Sequence, residues 1–236
     1  MDMLRIAVVV VVSYLIGSIS FSRLAFRILA PGREMKDIEL PVPGGQETYK
    51  VTATGSSSVS MVLGSRAGCT VGLLDMLKAA VPTLWFKYQY PAQPYFLLAA
   101  VAAMIGHNWP IFYRFRGGRG VSAVYGSLLV IDPLGAVVCA VAGMLVGLLV
   151  LRDFLVAYLS GLWLLIPWMW LRARDLPHIA YALALNFIFV LAMVPDLRQY
   201  LEFRHQGRTE MVDVMSTMPM GRGMMKMMQK LHLMKE

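Results

Sequence analysis

Residues 88–113 read YQYPAQPYFLLAAVAAMIGHNWPIFY, twenty-six consecutive positions without Asp, Glu, Lys or Arg. About 18–20 such residues are enough to cross a hydrocarbon core as helix. Four further charge-free windows, 6–22, 133–151, 154–171 and 176–195, approach or exceed that length. The chain as a whole agrees: of its 236 residues 58% are hydrophobic and 15% charged, with a mean hydropathy of +0.60. A soluble domain averages about 45–50% apolar and about 25% charged residues. One globular core of this size does not hide so much apolar surface, and disordered chains have the opposite composition. Cys69 and Cys139 sit in apolar surroundings and form no disulfide framework. The sequence therefore reads as an all-α integral membrane protein.

Two weaker segments complete the pattern. Residues 67–86 read as a helix interrupted by Asp75 and Lys78, and residues 120–131 are charge-free over only twelve positions. Counting both, the reading is about seven transmembrane helices. The apolar run at 6–22 has no small-residue cleavage site at Phe21-Ser22-Arg23-Leu24 and is read as a retained first helix. Lys and Arg then choose the orientation. With the N-terminus outside and the C-terminus cytoplasmic, seventeen fall on the inner side. Only Arg5, Lys87, Arg172 and Arg174 fall outside, and Lys78 lies in a span. The net charge of +8 suits a protein whose basic loops meet anionic headgroups or phosphorylated substrates, and the dispersal of those residues argues against nucleic acid.

Two segments break this rhythm. Residues 30–66 form a long cytoplasmic loop containing Pro31-Gly32, Pro43-Gly44-Gly45 and a serine run. After a multi-span domain at 1–210 comes a tail, 211–236, with nine of the eighteen methionines. In it Met224, Met227, Met228, Leu231 and Met234 recur at helical spacing with Lys226 and Lys230 off the stripe. That pattern fits a basic amphipathic helix on the inner leaflet, or a tail without fixed structure.

Candidate chemistry concentrates at Gly106-His107-Asn108-Trp109-Pro110 and at Phe115-Arg116-Gly117-Gly118-Arg119-Gly120-Val121-Ser122. Gly117, Gly118 and Gly120 let backbone N–H groups approach an anion, Arg119 adds a charged donor fork, and a helix starting near Val121 offers its positive end. The same residues also read as an ordinary positive-inside loop. Thr54-Gly55-Ser56-Ser57-Ser58, ahead of the second span, is either a phosphate-binding turn or the cap of a helix. Asp75 and Lys78 lie three apart on one helix face, as a structural ion pair or as a functional pair. His107 fits an orienting or proton-shifting role, or a hydrogen-bonded loop histidine. His178 and His232 have no acidic or thiol partner at metal-ligand spacing, and no cysteine nucleophile or G-x-S-x-G elbow is present.

Tyr14-Leu15-Ile16-Gly17-Ser18-Ile19-Ser20-Phe21 resembles the opening Y-L-x-G-S-I-P-F of the bacterial acyl-phosphate:glycerol-3-phosphate acyltransferases, the PlsY type, with Ser20 in place of Pro. Asp37-Ile38 resembles the family's D-I-R, and Gly55-Ser56 the G-S of its first cytosolic motif. Gly64-Ser65-Arg66-Ala67-Gly68 through Asp75-Met76-Leu77-Lys78 is similar to G-K-K-A-G and D-L-L-K. Gly106 to Val121 is similar to the second motif, G-H-x-x-P-x-x-x-x-F-x-G-G-K-G-V, with Arg119 for its last Lys. The likeness covers roughly residues 12–130. Past Ser57 the asparagines of the first motif are missing, an insertion occupies about 41–53, and Arg66 stands as the possible substitute for the motif's arginine. Aligning the third motif on Gly207 puts Leu197 and Tyr200 where the family has His and Asn.

The resemblance implies an inner-membrane, monomeric enzyme that moves an acyl chain from acyl phosphate to the 1-hydroxyl of glycerol 3-phosphate, giving lysophosphatidate. Membrane lipid is the remaining partner, and no metal or redox cofactor is implied. Ser56, Arg119 and His107 are the catalytic candidates, with Gly55, Ser57, Arg66, Gly117, Gly118 and Gly120 holding substrate phosphate. The alternative is a catalytically inactive homologue that binds phospholipid or glycerol phosphate.

The charge bias makes the topology testable. In a background without Cys69 and Cys139, Met225→Cys is expected to resist a membrane-impermeant maleimide in intact cells and to react once the cells are opened. Labelling from outside would overturn the orientation.

Overall fold

The structure, a computed structural model, describes residues 2–32, 39–41, 48–50, 54–147 and 154–205. Helix α1 (Met3–Gly17) starts under Asp2, whose carboxylate accepts a hydrogen bond from the Leu4 N–H at 3.1 Å. Its valine run favours strand in water, but hydrocarbon demands that backbone groups pair within the segment, which selects helix. The charge-free window 6–22 is not one continuous helix. The Ser18 hydroxyl donates back to the Tyr14 carbonyl at 2.8 Å, and α2 (Phe21–Leu29) restarts under Ser20, whose Oγ accepts from the Arg23 N–H at 3.4 Å. A serine cap thus begins the second helix where the resembling pattern has proline, another residue suited to a helix start.

The expected long loop is shorter than the sequence suggested. Strand β1 (Glu39–Pro41) pairs antiparallel with β2 (Thr48–Lys50), a small exception to the all-α expectation. Pro43-Gly44-Gly45 between them is turn-forming sequence. Helix α3 (Ser56–Leu63) and the start of α4 (Ser65–Gln89) take up the loop's end. The tail 211–236, Asp37-Ile38 and residues 206–210 of the third motif, among them the aligned Gly207, lie outside the described residues.

Beyond α4 follow α5 (Tyr95–Asn108), α6 (Val121–Ile131), α7 (Pro133–Leu145), α8 (Phe154–Arg172) and α9 (Leu176–His205), so a helix stands at each expected span. Met3–Leu29, Ser65–Gln89, Tyr95–Tyr113 and Leu176–Arg198 are long and apolar enough to cross a bilayer. Helices α6 and α7 are apolar but short, at 11 and 13 residues. They meet at Asp132, with Pro133 at the first position of α7. The Asp132 carboxylate accepts from Trp168 Nε1 at 2.8 Å and Arg172 Nε at 3.1 Å, both on α8. Lys87, at the end of α4, donates to the Val130 carbonyl at 2.5 Å and so satisfies a backbone oxygen that the end of α6 leaves over. Asp175 caps α9 through the His178 N–H at 2.9 Å. Burial works to raise its carboxyl pKa, but the hydrogen bonds and charge of His178 hold it below the ordinary range.

Small residues set the helix contacts. A methyl group on Gly17 would strike the Ala103 carbonyl, one on Gly106 the Tyr14 carbonyl, and one on Gly126 the Met76 carbonyl. Backbones therefore touch where α1 meets α5 and where α4 meets α6, the packing expected when helices associate without a hydrophobic driving force. The main apolar cluster joins α5, α6, α8 and α9 through Met104, Leu128, Leu165, Leu185 and Phe189. Large apolar side chains such as Val81, Trp85, Val137, Trp163 and Phe187 point outward, while Ser13, Ser127 and Asn186 are buried. The Asn186 amide donates to the Leu162 carbonyl of α8 at 2.9 Å. Apolar outside and polar inside is the arrangement of a chain solvated by lipid.

Gly126→Leu is expected to separate α4 from α6 and lower the unfolding temperature in detergent, at a cost of about 1–3 kcal/mol or more. Gly72→Ala makes only an ordinary 3.5 Å contact with Ser56 Cβ and is expected to leave that temperature unchanged or raised. Equal destabilisation by both would refute the close-approach account.

Candidate functional site

The site is built around charges that α4 carries into the protein interior. Asp75 and Lys78 are 2% and 6% exposed, and Lys78 Nζ lies 2.8 Å from Asp75 Oδ1, the pairing their i,i+3 spacing predicts. Lys78 also donates to the Ile19 carbonyl at 2.6 Å. That oxygen lies in the break between α1 and α2, so the ammonium pins the break to α4. His107 Nδ1 stands 3.6 Å from the same Oδ1, completing a buried Lys78–Asp75–His107 cluster.

The glycine loop after α5 is held from three directions. Tyr14 on α1 donates its hydroxyl to the Trp109 carbonyl at 2.8 Å, and Arg23 on α2 donates Nη2 to the Arg116 carbonyl at 2.9 Å. The Arg23 guanidinium also lies 5.0 Å from the Tyr113 ring centre, a cation–π contact. Ahead of α3, the Thr54 N–H donates to the Gly117 carbonyl at 3.1 Å. These ties hold Arg114 and Phe115 at φ of 53° and 58°, a left-handed conformation uncommon for such side chains. The Gly118 N–H donates to the His107 carbonyl at 3.1 Å, and a methyl on Gly118 would strike the imidazole.

Gly55, Ser56, Ser57, His107, Arg119 and Gly120 come together in one small cleft, with Ser58, Asp75, Val121 and Ser122 completing its lining. Two helix N-termini open into it. Gly55, at the N-cap of α3, provides no side-chain cap, and neither does Gly120 at the N-cap of α6. Both helices thus bring the positive end of a peptide dipole to the cleft, beside the Arg119 guanidinium. A second, tighter pocket also touches Asp75 and His107 and is lined by Ser18, Ser20, Ser22 and Thr54.

Not every predicted phosphate ligand lines the cleft. Gly117 and Gly118 do not line it; their lack of a side chain admits the loop against Pro110 and the His107 ring, and the Gly118 N–H is already engaged. Arg66 is exposed on the first turn of α4 and lines neither space. Two residues to which the sequence gives no role also stand here. Asp196 on α9 pairs with Arg119, Oδ2 to Nε at 2.5 Å, with both side chains largely buried. It is the only acid in the stretch 176–201, and an isolated carboxylate in an apolar helix is the signal that marks it. Asn108 is 3% exposed beside Gly120, and neither of its side-chain polar atoms has a hydrogen-bond partner.

The family model described as glycerol-3-phosphate acyltransferase matches residues 7–203. A glycerol-3-phosphate acyltransferase of Halalkalibacterium halodurans is 37% identical over 134 residues, covering 56% of this chain and 59% of the relative. One from Vibrio cholerae is 35% identical over 127 residues, covering 53% of each. The matched part is thus little more than half the length of these relatives. Among solved structures, PlsY, an integral membrane glycerol 3-phosphate acyltransferase, superposes in its glycerol 3-phosphate form with a TM-score of 0.68. It is 20% identical, over 89% of this chain and 98% of PlsY. The lysophosphatidic acid form gives a TM-score of 0.66 at 18% identity, again over 89% and 98%. These likenesses establish a common fold, and the extent of the family match establishes the kinship: the chain belongs to the glycerol-3-phosphate acyltransferase family.

Proposed function

We propose that this protein transfers an acyl chain from acyl phosphate to the 1-hydroxyl of glycerol 3-phosphate, releasing lysophosphatidate and inorganic phosphate. The observation that carries the reading is the meeting of two uncapped helix N-termini and Arg119 in one cleft with Ser56 and His107. Backbone N–H groups and helix dipoles there favour a phosphate, and Arg119 adds a full charge. Both substrates bring phosphates, so the cleft serves as the headgroup end of a site whose acyl chain lies among the helices.

In the transfer, the glycerol hydroxyl oxygen attacks the acyl carbonyl carbon. A new C–O ester bond forms, the bond from that carbon to the bridging phosphate oxygen breaks, and the leaving phosphate takes the hydroxyl proton. Acyl phosphate is already activated, so positioning and electrostatic stabilisation are the main demands on the protein. Ser56, at the first position of α3, is suited to hold the phosphate or the attacking hydroxyl, and His107 to orient it. The reaction as written draws on no metal or redox cofactor.

The same proposal includes seven crossings of the cell's inner membrane, with the N-terminus outside and the cleft at the cytoplasmic surface of a monomer. Helix α6 and the longer apolar segment containing α7 would supply the fourth and fifth crossings. The seventeen-to-four distribution of Lys and Arg supports this orientation.

Full-length protein purified in detergent is expected to make lysophosphatidate from acyl phosphate and not from an acyl thioester. Arg119→Ala is expected to lower kcat/KM about ten- to a hundred-fold, for a loss of about 1.5–3 kcal/mol, while Arg119→Lys keeps a measurable fraction. Binding of glycerol 3-phosphate without product would favour the non-catalytic homologue. Unchanged kinetics in Arg119→Ala would remove the cleft from the reaction.

A further inference from the structure

Among the described residues, two charge pairs stand at the cleft. Asp75 is paired with Lys78, and Arg119 with Asp196. The second pair is unlike an exposed surface bridge: the side chains are 14% and 17% exposed, so water and salt screen it weakly. Arg119 also lines the cleft, between the N-termini of α3 and α6. Asp196 therefore holds a negative charge against the very guanidinium that meets an anion there.

We propose that Asp196 is an affinity-setting residue of the anion site, competing with phosphate for Arg119 and keeping the site from trapping it. The inference rests on the cleft being a phosphate site. A reaction that leaves inorganic phosphate behind at every turnover needs a site that attracts the anion and also lets it go. Two helix dipoles and an unopposed arginine would satisfy only the first need. The carboxylate at Nε offsets part of the guanidinium charge that a bound phosphate would meet. Asp196 acts here through Arg119, as a positioning residue.

The sign of the effect distinguishes this role from a merely structural one. Inorganic phosphate is titrated into the full-length, detergent-purified protein, with binding followed by calorimetry, for the wild type, Asp196→Asn, Asp196→Glu and Arg119→Ala. Asp196→Asn keeps the side chain's size and removes its charge. It is expected to bind phosphate about ten-fold more tightly, to show a lower KM for glycerol 3-phosphate, and to have a reduced kcat as phosphate release slows. Asp196→Glu keeps the charge and is expected to stay within about three-fold of the wild type. If Asp196→Asn does not fold, Asp196→Ser carries the same expectation. Unchanged or weaker phosphate binding in a folded, charge-removing variant overturns the proposal, as does equal tightening in Asp196→Glu. Wild-type phosphate binding in Arg119→Ala would instead overturn the reading of the cleft itself.

Discussion

A lysine ammonium among apolar helices is tolerable only where a carboxylate and further acceptors replace its water. Lys78 meets both conditions, with Asp75 at 2.8 Å and the Ile19 carbonyl at 2.6 Å. This interaction lets the first membrane segment break into α1 and α2, because the break leaves carbonyls without helical partners. It also anchors Asp75, which faces His107, and His107 carries the backbone carbonyl that receives Gly118. The cluster of three side chains thus links the bend in the first segment to the loop that forms the cleft.

Much of the fold could be read from local sequence because lipid makes hydropathy decisive. Each charge-free window has its helix, and the i,i+3 spacing of Asp75 and Lys78 announced their pairing. The break after Gly17 was hidden: it depends on the Ser18 and Ser20 hydroxyls, which leave no charge in the window. Helix α3 was hidden as well, since eight residues with four serines do not resemble a span. Its place is set by tertiary packing, with Gly68 on α4 admitting it closely. Local propensity carries no record of that contact.

The cleft was legible where its residues are neighbours in sequence and obscure where they are not. Ser56, Arg119 and Gly120 were found through glycine, hydroxyl and charge patterns. Gly117 and Gly118 carry the same pattern, yet their backbone groups are used inside the loop and its packing. A glycine motif does not say which N–H faces a ligand. The pairing of Arg119 with Asp196 joins positions 77 residues apart, and no spacing rule reaches across that distance.

The ties that hold the glycine loop also have a consequence for how the protein is made. The Tyr14–Trp109 and Arg23–Arg116 bonds join residues 95 and 93 positions apart. During synthesis the first two helices must therefore wait, with these polar ends unmet, until α5 and its loop have emerged. The long Arg119–Asp196 connection delays completion further, until α9 has followed. Individual helices can enter the bilayer one by one, but the cleft is a late product of assembly, and an incomplete chain carries the anchors of its site without the site.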